Sequence, residues 1–327
     1  KNSMIMKKIL LLAAAVAMLA GCSQDLTADL ENSVNGSQSV GSWNGEGYVV
    51  EASAEDFTRV NTNVSEGASY LTWEAGDEIT LVHNGASYIY LAQQAGRSSL
   101  FVPKDDANAI TAIDAALPVA AFYNVASVDA ATMKATFNIA AEQVEGELSN
   151  KLPLYGYAAS TVVEDNKIKV VMNPLASVVE FELSASSTWN ADAFSLGVSS
   201  RQQYTYATAE GLVVDATTGA IDLSAAVIGK TATVKLAAMH DFATKRNVSV
   251  IVPGVSNAVT TEVTEGEGDA AVTTTVTTHY APVYHGKGCV KLYKNGVENF
   301  RRTIWSSYTA DGTQAVDERK HIAQPLK

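Results

Sequence analysis

The residue best placed to do chemistry in this chain is Cys22, which follows Leu19-Ala20-Gly21. A thiol directly behind that small pair can be alkylated by a diacylglyceryl group before a peptidase cuts between Gly21 and Cys22. The mature chain would then begin at a lipidated cysteine. The residues upstream fit: Lys7-Lys8 make a positive start, and Ile9 to Ala20 make an apolar run too short for a folded transmembrane span. Each buried CH₂ adds about 0.8 kcal/mol, so a single acyl chain holds only marginally whereas several anchor the chain permanently. The alternative is an ordinary cleaved signal with a chance cysteine, although Leu-Ala-Gly-Cys fits a lipoprotein signal at every position.

Other chemistry is sparse. The histidines His83, His240, His279, His285 and His321 have no metal-ligand spacing with cysteines or carboxylates, and His279 and His285 are separated by Pro282. There is no Gly-x-Ser-x-Gly elbow, no phosphate-cradling glycine loop and no His-Glu-x-x-His. Glu262, Glu265, Glu267 and Asp269 gather around Gly266 and Gly268, which reads as a solvated loop tip rather than a calcium loop. Cys289, in Gly-Lys-Gly-Cys-Val, reads as a buried structural thiol, because nothing near it marks an activated nucleophile. With Cys22 acylated, no disulfide within the chain remains possible. No catalytic residue, metal or cofactor is expected. Trp43, Trp73, Trp189 and Trp305 are scattered, as packing tryptophans are, although such rings also serve as carbohydrate platforms.

The elements that would carry these residues are strands. The 327 residues are 47% hydrophobic and 18% charged, a folded composition long enough for two ordinary domains. The net charge of -12 falls to -15 when residues 1–21, with three lysines and no acid, are removed. Such a surface repels phosphate backbones, so nucleic acid is not an expected partner. Ser23 to about Asn44 is polar and reads as a tether, with Asp25, Asp29 and Glu31 resembling acidic signals that follow the cysteine in some surface lipoproteins. Beyond it, apolar and polar residues alternate in short runs: Ile79 and Leu81; Ile168, Val170 and Met172 against Lys167 and Lys169; Val179, Phe181 and Leu183 against Glu180 and Glu182; Val234 and Leu236; Val248, Val250 and Val252. Turn residues separate them at Glu164-Asp165-Asn166 and at Asn295-Gly296, the safest hairpin. Thr260 to Thr278 reads as a long Thr/Val hairpin. Asp105-Asp106 with Ile110, Ile113 and Leu117 suggests a short capped helix. The expected fold is all-β, as antiparallel β-sandwiches with a junction at Ser184 to Asn190.

Phe57-Thr58-Arg59-Val60, followed by Leu71-Thr72-Trp73-Glu74-Ala75-Gly76-Asp77-Glu78-Ile79, resembles the fimbrillin-like, or type V pilin, lipoproteins of Bacteroidetes. Leu152-Pro153-Leu154-Tyr155-Gly156 and Asn173 to Phe181 extend the resemblance in order, and Gly211 to Asp215 with Val252-Pro253-Gly254 do so more weakly. It implies two transthyretin-like β-sandwiches behind a signal peptide (1–21) and a lipidated tether (22–45), as domains 46–185 and 186–327. It also implies an outer-membrane lipid anchor on Cys22 and a surface fimbria whose subunits are partners by donor-strand insertion. A protease would cut between Arg59 and Val60, releasing Gly47 to Phe57 as the displaced strand and opening a groove for a partner's strand. The C-terminal tail, Lys320 to Lys327, carries Pro325 and alternating charge and is expected to make a poor donor strand, which favours an anchor over a stalk subunit. The alternative function is a surface glycan-binding lipoprotein of the same fold, with a host or glycan ligand.

Overall fold

The structure is a computed structural model, and it describes residues 41–54, 59–60, 72–147, 151–183, 191–198, 207–240, 246–253, 258–265, 272–279, 288–304 and 321–326. Gly21, Cys22, the junction at Ser184 to Asn190, Trp189 and Trp305 lie outside the described residues. Val40–Lys327 form one compact unit.

Among the described residues the chain is all-β, with one 3-10 turn at Asp106–Asn108. The first strands are β1 (Val49–Ala54), β2 (Arg59–Val60), β3 (Glu78–His83), β4 (Ala86–Ala92), β5 (Ser98–Pro103), β6 (Val119–Tyr123), β7 (Ser127–Asp129) and β8 (Lys134–Ile139). Next come β9 (Glu142–Val144), β10 (Leu154–Ala158), β11 (Val163–Glu164), β12 (Lys167–Pro174), β13 (Ala176–Leu183), β14 (Ala191–Val198), β15 (Thr208–Asp215) and β16 (Ile221–Asp222). The last are β17 (Val227–Gly229), β18 (Thr231–His240), β19 (Arg246–Pro253), β20 (Ala258–Glu265), β21 (Val272–His279), β22 (Gly288–Lys294), β23 (Val297–Ile304) and β24 (His321–Leu326).

Local chemistry sets the hairpins. Asp165-Asn166 (φ 51° and 60°) joins β11 to β12, and Asn295-Gly296 (φ 50° and 75°) joins β22 to β23, the left-handed pairs that tight hairpins need. The Thr/Val hairpin is β20–β21, in register from Ala258↔His279 to Glu265↔Val272. The expected helix is reduced to the single 3-10 turn. Asp105 caps it, accepting from the Asn108 N–H at 3.1 Å, but Ala109 returns to extended backbone. The Ile110 carbonyl is taken by the Tyr48 N–H at 2.9 Å, a partner that a continuing helix would exclude.

The first half of the all-β chain closes into a barrel. Strands run β1-β5-β4-β3-β6-β10-β12, and β1 then pairs with β12 to complete the ring. Every pairing in the ring is antiparallel except β1 with β12. Register puts Val50 opposite both Phe101 and Ile168, and Ala52 opposite both Ser99 and Val170, so one face of each strand lines the interior. That face holds buried Val50, Ile79, Leu81, Tyr90, Phe101, Ile168 and Met172. Beside it, β7, β8 and β15 to β17 form a sheet whose Phe137, Ile139, Leu212 and Val214 join the same core.

A second core lies between two sheets, β19-β13-β24-β2 and β23-β22-β14-β18-β9. It contains Val179, Phe181, Val248 and Val250 from the first and Phe194, Leu196, Val234 and Val290 from the second. The Phe181 and Phe194 rings stand 4.9 Å apart. Strand β13 serves both cores, because alternate residues point to opposite faces: Ala176 and Val178 belong to the first, Val179 and Phe181 to the second.

His321–Leu326 is a full strand, lying parallel to β13 from Val178↔His321 to Leu183↔Leu326. On its other side β2 covers only His321 and Ile322. Pro325 therefore lies where that edge meets no described strand, the setting that tolerates a residue without an N–H.

Candidate functional site

The candidate site is the seam that holds β1 and leads into Arg59. It begins upstream of the strand. The Ser42 N–H donates to the Lys104 carbonyl at 3.0 Å, the Asn44 N–H to Asp106 Oδ1 at 2.8 Å, and the Tyr48 N–H to the Ile110 carbonyl at 2.9 Å. This lacing needs Gly47, whose φ is 103° and whose added Cβ would stand 2.7 Å from the Ile110 oxygen. Tyr90, wholly buried, donates its hydroxyl to the Tyr48 carbonyl at 3.1 Å, and the Tyr90 hydroxyl oxygen in turn accepts from the Ile110 N–H at 3.5 Å. Burial pushes the Tyr90 phenol well above its ordinary range, so it stays a donor.

Strand β1 then fills the gap between β5 and β12, with Val50 and Ala52 wholly buried. Trp73 holds it from inside. Its indole N–H donates to the Ala52 carbonyl at 3.2 Å, and its ring meets Phe101 and Tyr123 edge-on at 5.0 and 5.2 Å. The rest of the Trp-Glu-Ala-Gly-Asp run sets that ring. Gly76 takes φ 93°, its N–H bonds to the Ala92 carbonyl at 2.8 Å, and Asp77 Oδ2 accepts from the Glu74 N–H at 2.8 Å. The Tyr123 hydroxyl donates to Asp77 Oδ1 at 3.1 Å. Burial raises the Asp77 carboxyl above its ordinary value, against the hydrogen bonds from Glu74 and Tyr123, which lower it.

Gly156 explains another expected motif. In β10, an added Cβ would collide with Val170 Cγ1 and stand 2.8 Å from the Val171 oxygen, so β10 and β12 close up only around a glycine.

Arg59 and Val60, the expected processing pair, form the two-residue edge strand β2, opposite His321 and Ile322 of the C-terminal strand. The structure thus brings the segment carrying Arg59 against His321–Leu326, which lies far later in the sequence. The β1–β12 pairing and the roles of Tyr90 and Trp73 have no local signature, although a lone tryptophan before Gly-Asp is a visible hint.

The aromatic platform is not assembled by the described residues. Trp73 is 2% exposed, and the half-buried Trp43 donates its indole N–H to the Glu46 carbonyl at 2.6 Å. A cavity of about 370 Å³ beside β9 is lined by Asn124, Asn138, Glu142, Gln143 and Lys151 among others, with no aromatic ring. Among the described residues no group of three His, Cys, Asp or Glu side chains converges, and no helix is long and apolar enough to cross a membrane. Cys289 lies in β22, opposite Gly197 and Thr303.

Residues 6–23, which include Gly21 and Cys22, match the prokaryotic membrane lipoprotein lipid attachment site. No curated protein matches the chain. Similar solved structures come from Bacteroides. A protein of Bacteroides uniformis assigned to cell adhesion is 12% identical, with a TM-score of 0.40 over 70% of this chain and 96% of that one. Another so assigned, from Bacteroides ovatus, is 12% identical, with a TM-score of 0.44 over 79% and 87%. A fimbrial protein of Bacteroides ovatus is 11% identical, with a TM-score of 0.31 over 85% of this chain and 50% of that one.

Proposed function

We propose that this chain is a lipid-anchored surface protein of fimbrial type, held in the outer membrane through acyl chains on Cys22 and assembled by exchange of β-strands. The observation that carries the reading is β1. It closes the barrel, it is paired in parallel on one side only, and the chain leaving it runs to Arg59. Cleavage between Arg59 and Val60 would cut β1 and its lipid from the body. Loss of β1 would bare the edges of β5 and β12 and the pocket that takes Val50 and Ala52, which a partner strand can refill.

The tail strengthens the stalk role over the anchor role. A six-residue strand that already adds in parallel to β13 is suited to adding to a neighbour. The finer parts of the reading, two transthyretin-like domains at 46–185 and 186–327 and a type V pilin assembly, rest on the sequence resemblance. The work done is binding and scaffolding rather than catalysis.

The test is cellular. Cys22→Ser should leave the detergent phase, Cys289→Ser should not, and Arg59→Ala should reach the membrane yet be missing from sheared surface fibres. Arg59→Ala protein recovered in fibres at the parent level would refute the processing step.

A further inference from the structure

The sheet β23-β22-β14-β18-β9 ends at β23, beyond which no described strand pairs. Eight residues at ~3.3 Å each make that edge ~26 Å long. Natural sheets shorten, cover or charge such edges. The charge here is out of keeping with the chain. Strands β22 and β23 carry Lys291, Lys294, Arg301 and Arg302 against Glu298 alone, a net of +3 within a chain of -12. Lys291 and Arg301 are register partners on neighbouring strands. Glu298 is already engaged, with Oε2 at 2.9 Å from Lys291 Nζ.

A second element has the complementary character. Among the described strands β20 and β21 pair only with each other, and a two-stranded ribbon alone is marginal in water. Their sixteen residues include Glu262 and Glu265 and no Lys or Arg. Each strand is eight residues long, the length of β23. Within one chain the ribbon does not pair with that edge.

We propose that the basic β23 edge docks the acidic β20–β21 ribbon of a second copy of this chain, strand against strand. Backbone hydrogen bonds supply the adhesion, and opposite charge sets register and encounter rate. The contact uses different surfaces on the two copies, so it repeats head to tail and extends rather than closing as a two-fold dimer. It needs no cut at Arg59 and no exchange of β1 or β24, and so goes beyond the function proposed above.

Sedimentation of the full chain carrying Cys22→Ser, which removes the lipid acceptor, tests it with Arg59 intact. Association is expected at 50 mM NaCl and weakens about tenfold or more by 500 mM, as screening shortens to a few ångströms. Arg301→Glu/Arg302→Glu and Glu262→Lys/Glu265→Lys should each abolish it, and their equimolar mixture should restore it. Should the arginine pair fail to fold, Lys294→Glu at the strand end should give a smaller loss of the same sign. If the arginines only guard the edge, glutamates serve equally and association is unchanged, which overturns the proposal. A chain that stays monomeric at low salt overturns it, as does a mixture that does not reassemble. Binding of dextran sulfate without self-association overturns it in favour of a polyanion partner.

Discussion

Replacing Trp73 by Phe should loosen β1 selectively. The change deletes the hydrogen bond from the indole to the Ala52 carbonyl, a net loss of about 1 kcal/mol. It also shrinks a ring packed edge-on against Phe101 and Tyr123, which costs about another 1 kcal/mol. Together, about 2 kcal/mol corresponds to a ~30-fold rise in the open fraction of whatever the ring secures. Hydrogen exchange by mass spectrometry on the full chain can locate that rise. Peptides covering Val49–Ala54 should exchange ~30-fold faster, those in β14 and β18 should hardly change, and trypsin should cut after Arg59 sooner. Equal acceleration in both cores would mean that Trp73 supports the whole unit rather than the strand, and no acceleration at β1 would refute the seam.

Three further outcomes are expected. Gly156→Ala should destabilise the protein by about 1–3 kcal/mol in urea unfolding, because the new methyl group meets the Val171 carbonyl oxygen, which cannot turn away. Glu145→Ala should cost about 1–2 kcal/mol by the same measurement. It removes a two-point pairing with Arg246 and an acceptor for the Ala237 N–H at 2.8 Å, at side chains about a fifth exposed. Asp77→Asn should steepen the acid limb of the stability curve. With its folded-state pKa raised, Asp77 favours the fold below its ordinary value of 3.8, and that favour is lost as pH rises through the folded value. The variant should therefore gain on the parent between those two points; a gap that does not change with pH would contradict the burial of that carboxyl.

What the sequence made legible was local. The alternation at Lys167 to Met172 correctly puts Ile168, Val170 and Met172 inside, and the Asn295-Gly296 turn has its signature in two residues. What stayed hidden was long-range. Val49 lies parallel to Lys167, more than a hundred residues away, and nothing in either run specifies a direction of pairing. The same holds for β8 with β15 and for β9 with β18, where Gln143 reaches the backbone of Ile251 with both ends of its amide, at 2.8 Å each. The place of β24 was equally hidden, because whether a proline fits a strand depends on whether the edge it faces is paired. At the site, the Arg59 and Trp73 motifs were visible singly, and only the fold shows that one tryptophan holds the strand an Arg59 cut would free.

The most direct measurement of the central claim is limited trypsin digestion of the folded chain with N-terminal sequencing, followed by exchange with a labelled peptide of residues 47–57. An early product beginning at Val60 is expected, stable as a folded body, that releases the native β1 segment and takes up the labelled one, while Arg59→Ala protein does neither. An Arg59 that resists cutting, or a cut product that keeps its own β1 and refuses the peptide, would contradict it.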